Sequence, residues 1–212
     1  MFGMRLWISC LFMLIIGLPA CQASQDIPLV DTSYGDKAMS SSILVVYGTW
    51  AGSTAEVADA VGRTLAEETS ARVDVKPVES VQSLSGYSAV VIGSAIRAGN
   101  VKTEVLTFVT GHATELRGLP VAFFVVCMTM KEDTPENRRT VEAYLDPLRE
   151  KINLVDTGLF AGKMDYAQLG FFARTAVKHF VKVPEGDFRD WNAIKDWSRK
   201  LVPKLAVSSS PS

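Results

Sequence analysis

Cysteine and histidine are scarce: the 212 residues hold three Cys and two His. Cys10, Cys21 and Cys127 make no CxxC, and the histidines make no HxxxH. Both a disulfide framework and a zinc site of the usual ligand spacing are thereby excluded. No charge of one sign dominates, since 22 basic and 23 acidic residues leave a net charge of −1. Nucleic acid binding through a basic face and an acidic solvating tail both lose their support. There is no apolar stretch of about 20 residues, the length that a spanning helix needs. No internal repeat is present. What remains is a chain 48% hydrophobic and 21% charged, with 15 Gly and 9 Pro, long enough to bury one sizeable core.

The N-terminus reads as an address. Residues 1–20 carry one charge, Arg5, and an apolar block from Leu6 to Ile16, the length of a signal-peptide core. Leu18-Pro19-Ala20-Cys21 then resembles a bacterial lipobox, with Pro19 an unusual occupant. The resemblance implies lipidation at Cys21, a membrane-anchored lipoprotein of the cell envelope on the periplasmic side, and, through Gln22, the outer membrane. An ordinary cleaved signal and an uncleaved anchor are the alternatives. Without residues 1–20 the chain keeps 21 basic residues (22 − 1 for Arg5) against 23 acidic ones, a net charge of −2. Residues 21–42 have no periodic apolar pattern and read as a flexible tether. Residues 207–212, rich in Ser, read as a disordered tail.

Between them, residues 43–206 alternate short apolar runs with helical patterns. Ile43–Tyr47, Arg72–Lys76, Ala89–Gly93, Val121–Val126 and Leu154–Ala161 read as strands. Helices are expected over Ser53–Glu68, Val101–Leu116, Pro135–Ile152 and Asp190–Leu205, the third begun by Thr134 as cap and Pro135 at the first helical position. Strands so apolar, separated by helices, predict a doubly wound five-stranded parallel sheet with helices on both faces, an α/β fold. Ligands of such sheets bind at the carboxyl ends of the strands. The loops to inspect follow Tyr47, Gly93 and Val126.

The first of these is Gly48-Thr49-Trp50-Ala51-Gly52-Ser53-Thr54, directly before a helix. Small residues let amides converge, a helix N-terminus adds positive potential, and three hydroxyls can donate. That describes a phosphate cradle. It lacks the Gly-Lys-Ser/Thr ending of a nucleoside triphosphate loop and the GxGxxG of a dinucleotide fold, and no carboxylate ends the second strand. A phosphomonoester held by neutral donors fits best; an ordinary capped turn is the plain alternative.

Thr49-Trp50-Ala51-Gly52-Ser53-Thr54 resembles the flavodoxin phosphate loop, Thr/Ser-x-Thr-Gly-x-Thr, with Ala51 in place of the middle hydroxyl. Ser94-Ala95-Ile96-Arg97-Ala98-Gly99, His112–Leu116 and Asp190-Trp191 extend the likeness over about residues 43–203. It is nearest to the branch of flavodoxin-like, quinone-dependent protoporphyrinogen IX dehydrogenases. The resemblance implies FMN as cofactor. Ser94 to Gly99 would line the flavin ring, with Cys127-Met128-Thr129 as the other wall. Trp50 would pack on the flavin or on its own loop. Arg97 would meet the reduced flavin or an acidic substrate, or else form a surface ion pair. Cys127 at a strand end also reads simply as a buried apolar residue.

The branch carries an insert after the fifth strand, here residues 165–183. Within it Leu169, Phe172, Ala176 and Phe180 follow helical spacing, and Arg174, Lys178, His179 and Lys182 add positive charge. A basic amphipathic helix over 166–182 suits a bilayer surface or an apolar substrate, and equally a helix packed on its own domain. His179 has no carboxylate nearby in sequence and reads as a surface group. Three function classes stay open. They are an FMN oxidoreductase acting on a quinone or porphyrinogen-like substrate, an electron carrier serving redox partner proteins, and a domain whose flavin site has decayed.

Overall fold

The structure, a computed structural model, describes residues 29–36, 41–165 and 185–205. Cys21, the segment 166–182 with His179, and the tail from 207 lie outside these residues. The expectations placed on them concern residues whose structure is not described.

Five parallel strands make the centre of the sheet: β2 (Ser42–Gly48), β3 (Arg72–Pro77), β4 (Ala89–Arg97), β6 (Val121–Cys127) and β7 (Asp156–Ala161). They lie in the order β3-β2-β4-β6-β7. From β2 the chain moves outward to β3, then crosses back to the other side of β2 for β4. The switch point of this doubly wound sheet therefore falls between β2 and β4. Their carboxyl ends are level, with Tyr47 beside Gly93 and Gly48 beside Ser94.

Alternation along each strand divides the core. Ile43, Val45 and Tyr47 pack under α1 (Ser53–Glu68) with Val57, Val61 and Leu65, and under the last helix, Trp191–Leu201, with Ile194 and Leu201. Leu44 and Val46 face the other layer, packed with Val105 and Phe108 of α2 (Thr103–Gly111) and Val141 of α4 (Pro135–Ala143). Leu116 of α3 (Ala113–Leu116) and Leu148 of α5 (Asp146–Arg149) belong to that second layer too. At the centre Gly93 leaves room for the Phe124 ring: a Cβ there would stand 2.1 Å from Phe124 Cζ.

Several expected boundaries shift. The segment read as a tether includes β1 (Thr32–Tyr34), which extends the sheet as an antiparallel edge on β3. Long-range polar contacts help to hold it there, and Val30 and Tyr34 pack against the core. The Tyr47 hydroxyl accepts from Val30 N at 2.6 Å, Ser33 Oγ donates to Asp74 at 2.6 Å, and the Tyr34 hydroxyl donates to Asp59. The helix expected from Val101 starts at Thr103, because Asn100–Val101 (β5) pairs back on β4. The helix expected over Pro135–Ile152 breaks into α4 and α5, with Pro147 in the first turn of the second piece. Proline has no N–H for a helix interior and clashes with the preceding turn. Among the described residues no helix is long and apolar enough to cross a membrane.

Candidate functional site

The loop between β2 and α1 opens the helix end toward the carboxyl edge of the sheet. Gly52 caps α1 in the left-handed conformation (φ 85°), with no side chain on the helix N-terminus. The first intrahelical bond runs from Glu56 N to Gly52 O at 3.2 Å. The amides of Ser53, Thr54 and Ala55 precede that bond and are left for a ligand, at the positive end of the helix dipole. Thr49 Oγ1 accepts from Gly52 N at 3.0 Å, and Ser53 Oγ accepts from Lys163 N at 3.1 Å. Each hydroxyl uses its oxygen to shape the loop and keeps its proton to donate. Thr54, only 1% exposed, makes no side-chain hydrogen bond to another described residue. Three hydroxyls and three amides thus gather along this loop, which contributes no cation of its own, since none occurs between Gly48 and Gly62.

After β4 the chain forms a tight hairpin. Ile96 pairs with Val101 and Arg97 with Asn100, and both turn residues, Ala98 (φ 51°) and Gly99 (φ 76°), have positive φ. Two consecutive positive φ angles match the right-handed twist of a hairpin, which glycine supplies freely. At Ala98 the conformation costs about 1–2 kcal/mol, so a strained backbone is held at this edge. Ser94 is fully buried below the hairpin: its hydroxyl donates to Ala95 O at 2.8 Å and accepts from Lys102 N at 3.0 Å. Its side chain braces the loop, while Ala95 and Ile96 lie closer to the surface.

Lys102 has no distinguishing sequence motif, yet it joins the first two loops. Its stem crosses Gly48, where a Cβ would meet Lys102 Cδ at 3.0 Å and Val105 Cγ2 at 2.6 Å. Its ammonium pairs with Glu79 at 3.0 Å and Glu104 at 2.6 Å and lies 5.4 Å from the centre of the Trp50 ring. Burial pulls this ammonium down, but the bonds it donates to Glu104 and Glu79 outweigh that and hold the pKa above the usual lysine value. Arg97 sits over the same indole at 5.3 Å. Trp50, 42% exposed, is thus flanked by two cations, and Arg97 makes no ion pair with another described residue.

The third loop follows β6. Cys127 is 6% exposed in the apolar layer, and burial pushes its thiol up, only partly offset by backbone bonds from Met130 and Thr129. It packs as an apolar side chain. Met128 and Thr129, both half-buried, open a 3-10 turn that ends at Lys131, whose Nζ lies 4.7 Å from the centre of the Phe188 ring. Phe188 N donates to Gly162 O at 3.2 Å, beside the short pairing of β8 (Lys163–Met164) with β9 (Gly186–Asp187). The β8–β9 pair therefore lies next to the phosphate loop, tied to it through Ser53.

Arg189, also without a sequence signal, locks this base. Its side chain is 2% exposed, meets Asp187 at 2.6 Å and Glu56 at 2.8 Å, and stacks over Trp191 at 4.4 Å. Glu56 in the first turn of α1 is thereby neutralised. Among the described residues no group of His, Cys, Asp and Glu is placed to hold a metal ion. A 480 Å³ depression on the outer face of α1, between Glu56, Arg63 and Trp191, touches none of the three loops.

A β3-β2-β4-β6-β7 sheet with these loops at its carboxyl edge is a flavodoxin-like architecture. The chain belongs to the flavodoxin domain family, whose profile matches residues 44–190. It is 29% identical over 185 residues to a Leishmania major protein named protoporphyrinogen IX dehydrogenase [quinone], covering 81% of this chain and 80% of that one. A protein of the same name from Escherichia coli K12 is 25% identical over 172 residues, covering 75% and 93%. In fold it is similar to the apo form of an NADH:FMN oxidoreductase (TM-score 0.50, 13% identity, covering 81% of this chain and 92% of that one).

Proposed function

We propose that this protein is an FMN-dependent oxidoreductase that takes hydrogens from a porphyrinogen-type donor and delivers them to a quinone. In each cycle the donor loses two electrons and two protons, and the quinone leaves as its hydroquinone. When bound, FMN supplies the two-electron relay between the two substrates. The observation that carries this reading is the cradle at Thr49–Thr54: an uncapped helix N-terminus with Thr54 unbonded beneath it.

The residues present fit an FMN phosphate. Thr49, Ser53 and Thr54 would donate their hydroxyl protons to it, and the first amides of α1 would complete its shell. Ala51 adds no donor, and Gly52 lets the backbone close in. Ala95 to Gly99 would border the ring on one side, and Met128 and Thr129 on the other, with Cys127 beneath. Support for the substrates comes from the names of the two relatives, both of which join a porphyrinogen to a quinone. The location is proposed from Leu18-Pro19-Ala20-Cys21: a lipid on Cys21 would hold the domain at the bilayer, where long-tailed quinones partition.

Purified protein should carry a flavin absorption spectrum, with FMN as the released flavin by chromatography. Under anaerobic conditions it should form protoporphyrin from protoporphyrinogen IX only when a quinone is added. Failure to bind FMN overturns the cofactor assignment. FMN uptake without quinone-dependent turnover overturns the enzyme and leaves the electron carrier.

A further inference from the structure

Among the described residues five cations lie over aromatic rings. They are Arg63 on Tyr34, Arg97 and Lys102 on Trp50, Lys131 on Phe188, and Arg189 on Trp191. Three of them are also neutralised: Arg63 by Asp59, Lys102 by Glu79 and Glu104, and Arg189 by Asp187 and Glu56. Arg97 and Lys131 differ, for neither pairs with a carboxylate of another described residue. Both are exposed. Arg97 stands at the end of β4 and Lys131 at the end of the turn after β6, and these two strands are neighbours in the sheet. The two unneutralised cations thus border the two loops that flank the proposed ring site.

We infer that Arg97 and Lys131 form a two-point anchor for the carboxylates of a dianionic macrocyclic substrate. This rests on the porphyrinogen reading above, and it assigns the anchor to the two propionate groups of that macrocycle. A ring face fixes where a cation stands and leaves its charge available to an anion. The planar guanidinium of Arg97 suits bidentate carboxylate binding, while the ammonium of Lys131 acts as a point charge. The proposed cofactor phosphate does not call on them, because hydroxyls and amides at Thr49–Thr54 already provide its donors. The rings that hold the two cations come from separate elements. Trp50 belongs to the phosphate loop, and Phe188 to the segment that follows β9. Cofactor loop and insert base would therefore set the spacing of the anchor together.

The test compares protoporphyrinogen IX with its dimethyl ester, which has the same macrocycle without the charges. Arg97→Gln, Lys131→Gln and the double variant are assayed for KM, kcat and FMN affinity, with Lys195→Gln as a control for loss of a remote charge. Each single variant should raise KM for the free acid about fivefold, as expected for one exposed charge-assisted contact. The two effects should multiply in the double variant. KM for the ester should stay within error in every variant, FMN affinity should stay within error in Lys131→Gln, and Lys195→Gln should change neither substrate's KM. Equal effects on acid and ester overturn the anchor, as does weakened FMN binding with KM for the acid unchanged. If the wild-type protein oxidises neither compound, the porphyrinogen reading fails. The anchor is then judged by fluorescence binding of protoporphyrin IX against its dimethyl ester, and equal affinities overturn it as well.

Discussion

Replacing Thr54 by Val isolates one hydroxyl of the cradle. Valine keeps the branched shape of threonine and its rotamer, so the second position of α1 stays filled. In the free protein Thr54 is 1% exposed and its side chain bonds to no other described residue, so the substitution breaks nothing within the domain. Unfolding of the apo-protein should therefore be unchanged or slightly favourable to the variant. FMN binding should not be. A hydrogen bond to a charged group contributes about 1.5–3 kcal/mol. At about 1.4 kcal/mol per decade, the Kd for FMN should rise roughly ten- to hundredfold. Riboflavin has the same ring and no phosphate, and its affinity should not change. Titrating apo-protein with each flavin and following quenching of flavin fluorescence gives both constants. The difference between the two losses reports the hydroxyl–phosphate contact alone, because ring contacts cancel. Equal losses for FMN and riboflavin would refute the cradle and place Thr54 in packing. A loss for neither would mean that the phosphate binds elsewhere.

Three further outcomes are expected. Gly93→Ala puts a Cβ 2.1 Å from Phe124 Cζ at the middle of the sheet, so overpacking should cost about 1–3 kcal/mol and lower Tm by roughly 2–12 °C, read by thermal unfolding. Asp74 ties β1 to β3. Burial raises its pKa, but bonds from Ser33 and Tyr87 and the Arg72 guanidinium outweigh that and hold it below the usual 3.8. A depressed carboxylate contributes stability that is complete above its unfolded pKa and disappears as pH falls through the folded value. Denaturant unfolding from pH 6 down to about 3 should therefore decline less steeply in Asp74→Asn than in the wild type; parallel profiles would sink the assignment. Mass spectrometry of the membrane-extracted protein should find a lipidated N-terminus beginning at Cys21, and a retained Met1 would rule out processing.

The sheet was legible because burial on both faces writes itself into composition. Val121–Val126 and Ala89–Gly93 carry no polar side chain, and these runs became all but the last residue of β6 and the first five residues of β4. The phosphate loop was legible for a similar reason: it is local, so its small residues and hydroxyls adjoin in sequence. What stayed hidden is held by partners far along the chain. β1 has three residues and no period; its ladder to β3, the packing of Val30 and Tyr34, and the reach of Ser33 and Tyr34 to Asp74 and Asp59 hold it. The hairpin at Ala98 was hidden too, since a positive φ on alanine follows no propensity. Lys102 and Arg189 look like ordinary surface cations in sequence. Their burial follows from carboxylates at Glu79 and Asp187 and from Glu56, none of which a spacing rule connects to them.

That pattern of pairing bears on how the site would handle charge. Near the cradle two ionised groups are already matched within the protein: Glu56 by Arg189, and Lys102 by Glu79 and Glu104. A phosphate arriving there would meet dipoles and hydroxyls, which act only over contact distance and lie partly out of solvent. Salt screens separated, exposed charges over about 10 Å at 0.1 M and about 3 Å at 1 M, and has far less hold on short contacts in a buried setting. FMN affinity should therefore change only about twofold between 0.05 and 0.5 M NaCl. The rim offers the opposite case, because Arg97 and Lys131 are exposed and unneutralised. KM for a dicarboxylate substrate should climb severalfold over the same range, while KM for its neutral ester stays level. One titration series thus separates the two anion sites. A steep loss of FMN affinity with salt would show a cation serving the phosphate. The cradle would then have to include Arg97, and the division of the rim into a dipolar site and a charged one would fall.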